Sequence, residues 1–307
     1  MRITNLLLAA ALAAGLSSPA FAAEKLKVVA SFSVLGDLAS EVGGDHVDVT
    51  TLVGPNGDAH TFEPSPQNAK ALGEAAVLVE NGLGLEHWMQ RLVAASNFKG
   101  ETVIASKGVE PRLWQGDADE AEELEKNADG KAIDPHAWQD PRNGIRYVNN
   151  IVAGFSAADP AHASDYRRNG DALNEQLTTI HDRLAAEFGK LPEAKRRIVT
   201  SHDAFGYFGA AYDIQFIAPE GLSTEADVSA ADVAKIVRQV KDEHIQAIFV
   251  ENITDPRLID QIARESGVKV GGELFSDALS PKDGVAPTYV KMFQNNESQL
   301  LAAMSGS

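Results

Sequence analysis

The sequence predicts an α/β fold in which two lobes of parallel sheet, flanked by helices, are joined by one long rigid helix. Short β-branched and apolar runs alternate with helical patterns in both halves of the chain, and this alternation is typical of parallel sheets. The longest helical pattern, at 162–190, lies near the middle of the chain. We therefore expect it to join the two halves.

In the first half, strand-like runs are followed by turn signals and helical patterns. The predicted strands are 26–32, 47–53, 76–80 and 102–105, and the predicted helices are 33–42, 67–75, 85–95 and 142–157. Gly54, Pro55 and Gly57 interrupt regular structure after the second strand. His60 is therefore expected on a loop.

The second half has the same pattern of elements. The predicted strands are 197–200, 214–218, 247–251 and 268–273, and the predicted helices are 230–243, 256–266 and 289–304. In the long central pattern, apolar side chains recur at spacings of three and four, from Leu173 to Phe188. A helix of this length spans on the order of 40 Å. The predicted domains are a first lobe at 23–160, a linking helix at 161–190 and a second lobe at 191–307.

The N-terminal residues 1–22 have the features of a secretory signal peptide. Arg2 gives a positive start, an apolar run follows at 6–16, and Ala20-Phe21-Ala22 is a small-x-small site. We predict cleavage near Ala22 and an exported protein, because the apolar run is shorter than the roughly 20 residues that span a bilayer. The chain has no cysteine, so no lipid anchor, disulfide or thiolate metal site is expected.

The chain is strongly acidic, with a formal net charge of −17. This charge would repel phosphate backbones, so nucleic-acid binding is not expected. A cationic ligand fits the charge, but so does a simple role in solubility. Acidic residues concentrate at 116–129, inside a predicted loop at about 114–133. We favour a solvated loop here over one that collects cations.

Four metal-capable side chains each follow a strand-like run: His60, His136, His202 and Asp277. Because open α/β sheets bind ligands outside the carboxyl ends of their strands, we hypothesise that these four converge on one metal ion. Imidazole-rich donor sets favour zinc, copper and nickel, whereas manganese and calcium prefer oxygen. The predicted metal is zinc, and a manganese site would be expected to replace one histidine with a carboxylate.

No short metal-binding motif supports this hypothesis, because the sequence has no H-x-x-x-H, H-E-x-x-H or C-x-x-C pattern. A single loop histidine is usually just solvated. The other histidines are expected to take no part: His46, His87, His162, His181 and His244. Three nearby carboxylates, Glu63, Asp203 and Glu251, are predicted to accept the free ring N–H of a ligand histidine.

The segments around these residues resemble those of a known family. They are Gly57-Asp58-Ala59-His60-Thr61-Phe62-Glu63-Pro64-Ser65-Pro66, Asp134-Pro135-His136-Ala137-Trp138, Ser201-His202-Asp203-Ala204-Phe205-Gly206-Tyr207-Phe208 and Glu273-Leu274-Phe275-Ser276-Asp277-Ala278-Leu279. Nearly all of the chain after the signal peptide resembles the periplasmic metal-binding proteins of ABC importers. The resemblance is to the zinc branch often called Znu-type, and within it to the Azt-type members.

The resemblance implies that His60 and His136 come from the first lobe, and His202 and Asp277 from the second. It also implies a periplasmic protein that delivers zinc to an ABC transporter permease, and we further expect a monomer. Manganese-binding relatives carry glutamate where His202 stands, which favours zinc. Unlike many zinc members, the chain has no histidines in its acidic loop, so a periplasmic metallochaperone becomes a candidate source of the metal.

Two other functions remain open from the sequence. One is a manganese or iron carrier of the same family. The other is a periplasmic zinc metallohydrolase with Asp277 or Glu251 as general base, which would need an open position on the metal. A binding protein without catalytic activity is preferred, because four protein ligands leave no place for a reactive water. Since three neutral imidazoles must bind, zinc affinity should fall steeply below roughly pH 6.

Overall fold

The structure is a computed structural model that describes residues 24–114, 125–224, 228–245 and 247–305. The predicted signal peptide at 1–22 and residues 115–124 of the predicted acidic loop lie outside the described residues. In the part of the chain that is described, no helix combines the length and the apolar character needed to cross a membrane.

Two parallel four-stranded sheets form the framework, which confirms the predicted fold class. The first sheet, in the order β2-β1-β3-β4, consists of β1 (Leu26–Phe32), β2 (Val47–Val53), β3 (Val77–Glu80) and β4 (Glu101–Ile104). The second sheet, in the order β6-β5-β7-β8, consists of β5 (Arg197–Val199), β6 (Gln215–Ile217), β7 (Ile248–Glu251) and β8 (Val270–Leu274). In each sheet the strand order reverses at the first strand, and the carboxyl ends there form the crevice in which such folds bind ligands.

The helices flank the two sheets. They are α1 (Ser33–Gly43), α2 (Pro66–Glu74), α3 (Met89–Ser96), α4 (Pro141–Ala158), α5 (Ala163–Phe188), α6 (Gly206–Tyr212), α7 (Ala230–Asp242), α8 (Pro256–Ser266) and α9 (Tyr289–Ser305). We call the first sheet with α1–α4 the first lobe, and the second sheet with α6–α9 the second lobe. Helix α5 packs against α1 and α4 of the first lobe and against α6 and α9 of the second.

Helix α3 begins four residues later than predicted. After β3 the chain makes a series of turns in which Gly82, Leu83 and Gly84 all have positive φ. The turns continue through Trp88, so α3 starts only at Met89. The turns carry Trp88 into the interior, where its side chain is fully buried.

The two sheets differ in how firmly their strands are paired. Strand β1 pairs with β2 from Leu26–Val47 to Phe32–Val53, over the length of both strands. In the second sheet, β5 has three residues and its pairing with β7 involves Val199 and Ile248 alone. The strand that precedes His202 is therefore held less firmly in its sheet than the strand that precedes His60.

The hydrophobic core is not divided along the boundary between the sheets. The main cluster combines the first sheet, α4 and α5 with residues from the end of the chain, among them Phe275, Leu279, Tyr289 and Phe293. A second cluster lies between β7, α7 and α8. The C-terminal segment thus shares its core with the first lobe, although it follows the last strand of the second sheet.

Candidate metal centre

The structure brings together the four side chains that were predicted to converge. His60, His136, His202 and Asp277 each offer a ligand atom, and these atoms lie within 4.8 Å of one another. His60 Nε2 is 3.0 Å from Asp277 Oδ2 and 3.3 Å from His136 Nε2. Asp277 Oδ2 is also 3.6 Å from His136 Nε2 and 3.3 Å from His202 Nε2. Three of the residues are fully buried, and His60 is 4% exposed.

His60 lies on the loop after β2, and hydrogen bonds fix the residues just before it. Asp58 Oδ1 accepts the backbone N–H of His60 at 2.8 Å, and the Thr224 hydroxyl donates to Asp58 Oδ2 at 2.6 Å. The indole Nε1–H of Trp88 donates to the carbonyl of Ala59 at 2.9 Å. The side chain of His60 therefore needs little rearrangement to bind a ligand.

His136 is oriented by a carboxylate two residues before it. Asp134 Oδ1 accepts the backbone N–H of His136 at 3.0 Å and lies 2.9 Å from the ring Nδ1. We assign the ring proton to Nδ1, which leaves Nε2 free to bind a metal. Arg112 Nη1 donates to Asp134 Oδ2 at 3.1 Å. A Cβ at Gly206 would come within 2.5 Å of that oxygen, so glycine is needed beside the ion pair.

His202 follows β5 and is oriented by a carboxylate of the neighbouring strand. Its backbone N–H donates to Glu251 Oε1 at 2.8 Å, and its ring Nδ1 lies 2.6 Å from Glu251 Oε2. Glu251 is the last residue of β7 and is fully buried. One carboxylate thus accepts a hydrogen bond from the backbone of His202 and lies close to its ring.

Asp277 lies on the segment after β8. The neighbouring carbonyl of Ser276 accepts two side-chain bonds, from Trp138 Nε1 at 2.9 Å and from Gln139 Nε2 at 2.6 Å. Asp277 Oδ2 faces the three histidines, while Oδ1 is buried without a hydrogen-bond donor in the described residues. Such an oxygen is costly to bury unless a cation lies nearby.

The charges of the centre alter how its groups titrate. Burial disfavours protonation of His136, but the carboxylates of Asp277 and Asp134 outweigh it and raise its pKa to about 9. Burial likewise opposes protonation of His202, yet Glu251 and Asp277 raise its pKa well above the usual range. Against the effect of burial, these two histidines hold the pKa of Asp277 well below its usual range. The centre therefore keeps protons that a bound metal would have to displace.

The donor set fits a divalent cation in two respects. A tetrahedral zinc ion at 2.0–2.1 Å from its ligands separates the ligand atoms by about 3.3–3.4 Å. Four of the six separations are close to this value, at 3.0 to 3.6 Å, and all six are within 4.8 Å. With neutral imidazoles, the buried carboxylates of Asp277, Asp134 and Glu251 and the guanidinium of Arg112 sum to two negative charges. A divalent cation would balance them.

The three carboxylates expected around the ligands have different positions. Glu251 contacts the ring of His202. Asp203 instead accepts the indole N–H of Trp114 at 2.8 Å, and burial raises its pKa. Glu63 lines a surface cavity of about 770 Å³ with Trp88, and within the described residues no hydrogen bond or ion pair joins it to the four. Glu63 and Asp203 thus do not hold a ligand ring in this structure.

Two carboxylates that do hold ligand histidines were missed by the sequence reasoning. Asp58 and Asp134 stand two residues before His60 and His136, and each accepts the backbone N–H of its histidine. The signal was a repeated Asp-x-His pattern, in which aspartate bonds the backbone two residues on, as in an Asx turn.

Two further histidines form a separate cluster, which we call the peripheral pair (His46 and His162). Their rings are stacked, with centroids 3.9 Å apart. His46 Nε2 lies 3.0 Å from Asp165 Oδ2, and His162 Nδ1 lies 2.6 Å from Asp159 Oδ2. Both histidines were expected to be uninvolved in the site. Across the described ranges, the only converging group of three or more metal-capable side chains is the central one.

Comparisons with known proteins agree on one family. The family model for ZnuA, zinc-uptake complex component A, periplasmic, matches residues 28–303. The manganese-binding lipoprotein MntA of Bacillus subtilis is 34% identical over 286 residues, covering 92% of this chain and 90% of MntA. These matches extend over almost the whole described chain.

Solved structures give the same result. The periplasmic zinc-binding protein TroA of Treponema pallidum matches with a TM-score of 0.82 and 25% identity, over 91% of this chain and 99% of TroA. A manganese-bound periplasmic metal-binding protein from Candidatus Liberibacter asiaticus matches with a TM-score of 0.78 and 26% identity, over 91% and 100% of the two chains. The hydrolase alternative is therefore wrong. The chain belongs to the ZnuA family, the metal-binding substrate-binding proteins of ABC importers, which are not enzymes.

Proposed function

We propose that the protein is a periplasmic zinc carrier. It binds one Zn²⁺ through His60, His136, His202 and Asp277 and delivers it to the permease of an ABC importer. The observation that carries this proposal is the convergence of the four buried ligand atoms. A closed set of four protein ligands holds zinc without leaving a position for a reactive water, as a carrier requires.

The choice of zinc rests on the donor atoms, because the names of the relatives differ. MntA is named a manganese-binding protein and TroA a zinc-binding protein. Three imidazoles with one carboxylate suit zinc, whereas manganese favours sites with more oxygen. Two of the histidines also contact a carboxylate through Nδ1, an arrangement common around zinc. Manganese or iron remains the alternative cargo.

The source of the metal is a second part of the proposal. The acidic loop contains no histidine, so it offers no imidazole to collect zinc from dilute solution. We propose that a periplasmic metallochaperone supplies the metal to a monomeric carrier. Transfer of zinc between two proteins avoids free hydrated Zn²⁺, so a dedicated collecting loop is unnecessary.

The test of the cargo is competition between metals. The mature protein is stripped with a chelator, equilibrated with equimolar Zn²⁺ and Mn²⁺, desalted, and analysed for bound metal by mass spectrometry. We expect one zinc per chain and little manganese. The His202→Ala and Asp277→Ala variants should hold zinc more weakly, while His162→Ala, which alters the peripheral pair, should bind as the wild type does.

Each contrary result removes a different part of the proposal. Preferential uptake of manganese would make the assignment of zinc wrong and leave the carrier role intact. No stoichiometric metal, or binding that is indifferent to both substitutions, would make the assignment of the site wrong.

A further inference from the structure

The segments that carry His136 and His202 contact each other away from the ligand atoms. The chain reaches His136 through a short antiparallel bridge, in which Leu113 pairs with Ile133. After His202 the chain enters α6, and α6 packs against the 3₁₀ turn that follows His136. These two ligands therefore stand on segments whose positions depend on each other.

One of these contacts is made by the hydroxyl group of Tyr207, in the first turn of α6. The hydroxyl accepts the backbone N–H of Arg112 at 2.8 Å and donates to the backbone carbonyl of Asp134 at 3.1 Å. Tyr207 is buried, and burial raises the pKa of its hydroxyl above the ordinary value. The hydroxyl therefore keeps the proton that it donates to Asp134.

Arg112 and Asp134 lie opposite each other at the end of the antiparallel bridge. Two opposed residues of an antiparallel ladder can exchange two N–H···O bonds directly. Here the backbone N–H of Asp134 donates to the carbonyl of Arg112 at 2.9 Å, but the reciprocal two groups are joined through the Tyr207 hydroxyl. A side chain of the second lobe is thus inserted into a ladder of the first half of the chain.

Asp134 connects this ladder to the metal centre. Its carboxylate Oδ1 accepts the backbone N–H of His136 at 3.0 Å and lies 2.9 Å from the ring Nδ1. Without the Tyr207 hydroxyl, the N–H of Arg112 and the carbonyl of Asp134 would lose their partner or close into a direct bond. Either change shifts the backbone of Asp134, and the carboxylate moves with it.

We propose that Tyr207 is a positioning residue for metal binding, because its hydroxyl holds Asp134 where the carboxylate orients the ring of His136. This inference rests on the proposed function. It adds a connection between the lobes that does not pass through the metal. The segment that carries His202 also determines the orientation of a second ligand histidine.

Helix α6 contains a matched control residue. Tyr212 is the last residue of the helix and is buried like Tyr207, but its hydroxyl lies 3.1 Å from Nδ1 of His181, on α5. Tyr207→Phe and Tyr212→Phe therefore remove the same atom from the same helix. Only the first substitution alters the ladder that holds Asp134.

The first measurement is metal affinity, by competition with a chelator. We expect Tyr207→Phe to bind zinc about three- to tenfold more weakly than the wild type, a smaller loss than the roughly 10- to 100-fold effect of removing a direct partner of a ligand. Tyr212→Phe should stay within about twofold. If the wild type retains manganese instead of zinc, the same comparison is made with Mn²⁺, so an error in the cargo is recognised separately.

The second measurement distinguishes positioning from a general loss of stability. The ring Nδ1–H signals of His136 and His202 are followed by NMR on ¹⁵N-labelled protein, with and without metal. In Tyr207→Phe we expect the His136 proton to exchange with solvent at least about tenfold faster, and the His202 proton to change by less than about twofold. Equal acceleration of both protons would mean that the hydroxyl only stabilises the fold, and would overturn the inference.

A double-mutant cycle tests whether Tyr207 acts through Asp134. If it does, the variant that combines Tyr207→Phe with Asp134→Asn should bind metal within about twofold of Asp134→Asn alone. Losses that multiply, or an unchanged affinity in Tyr207→Phe, would contradict the positioning role. A wild type that binds no stoichiometric metal would refute the proposed function, while the exchange rates of the metal-free protein would still test the positioning of His136.

Discussion

The described residues contain two clusters of histidine and aspartate, and among these residues only one cluster has the arrangement of a metal site. In the central cluster, the Nε2 atoms of three histidines face a single carboxylate oxygen, Asp277 Oδ2. In the peripheral pair, each histidine faces an aspartate of its own, Asp165 or Asp159, and the rings stack on each other. The distances between histidine and carboxylate are similar in both.

The difference lies in convergence and burial. The central side chains are 0–5% exposed, whereas the side chain of His46 is 31% exposed. Solvent screens the charges of the peripheral pair, so its contacts contribute little and need no cation. In the central cluster, the buried carboxylates need compensating positive charge, which protonated histidines or a bound cation can supply. Close contact between one histidine and one aspartate is therefore a weak indication of a metal site. Convergence of several buried ligand atoms on one point is a strong indication.

The largest difference in zinc affinity between the two clusters should come from removing an aspartate. Asp277 contacts all three central histidines, so Asp277→Ala should lower zinc affinity by more than about a hundredfold, beyond the effect of losing an outer partner. Asp165→Ala removes an aspartate of the peripheral pair and should leave affinity within about twofold. Both are measured by competition with a chelator. Equal losses in the two variants would mean that zinc does not bind where we place it.

The next largest difference in zinc affinity should come from Glu251, the carboxylate next to the ring of His202. In Glu251→Gln, an amide N–H₂ would replace the oxygen near His202 Nδ1, and the ring proton would be driven to Nε2, the nitrogen that binds metal. We expect a 10- to 100-fold loss of zinc affinity. Asp165→Asn is the matched control for the peripheral pair. An unchanged affinity in Glu251→Gln would show that the contact with Glu251 does not orient His202.

The pH dependence should also separate the clusters. Because its pKa is raised to about 9, His136 holds a proton at neutral pH that zinc must displace. Apparent zinc affinity should therefore keep rising between pH 7 and about 9, instead of levelling off just above the usual histidine pKa of about 6.5. The profile should be the same in a His46→Ala, His162→Ala double variant. A plateau from pH 7.5 upwards would contradict the raised pKa.

The smallest effect is expected at Glu63. Glu63→Gln makes the same chemical change as Glu251→Gln, but at a residue that lines a surface cavity. Zinc affinity should stay within about twofold of the wild type. A loss comparable to that of Glu251→Gln would restore Glu63 to the role that the sequence suggested for it.

The sequence predicted most of the framework because apolar periodicity reflects burial directly. The strands, the long helix and the four side chains after strand-like runs all followed from that pattern, and the motif resemblance supported the four together. The turns before α3 could not be predicted, because they include a left-handed conformation at Leu83, a residue type that rarely adopts it.

The contacts around Asp277 were also beyond the sequence. Its neighbours Ser276 and Leu279 bond Trp138, Gln139 and Ser33, which are far from them along the chain. The partners of Asp203 and Glu63 could not be chosen for the same reason, since proximity in sequence to a ligand does not fix where a side chain points. Asp58 and Asp134 were within reach, because an aspartate two residues before a histidine has a local mechanism.

Helix α5 has a consequence for how a transporter recognises its carrier. Its 26 residues span about 39 Å and contact both halves of the molecule. Swinging the halves far apart would expose its buried face, at about 25 cal/mol per Å² of apolar surface. We therefore expect the outline of the protein to change little when it takes up or releases its metal. A permease would then have to distinguish the loaded from the empty protein by local differences in the loops that carry the ligands, and not by overall shape.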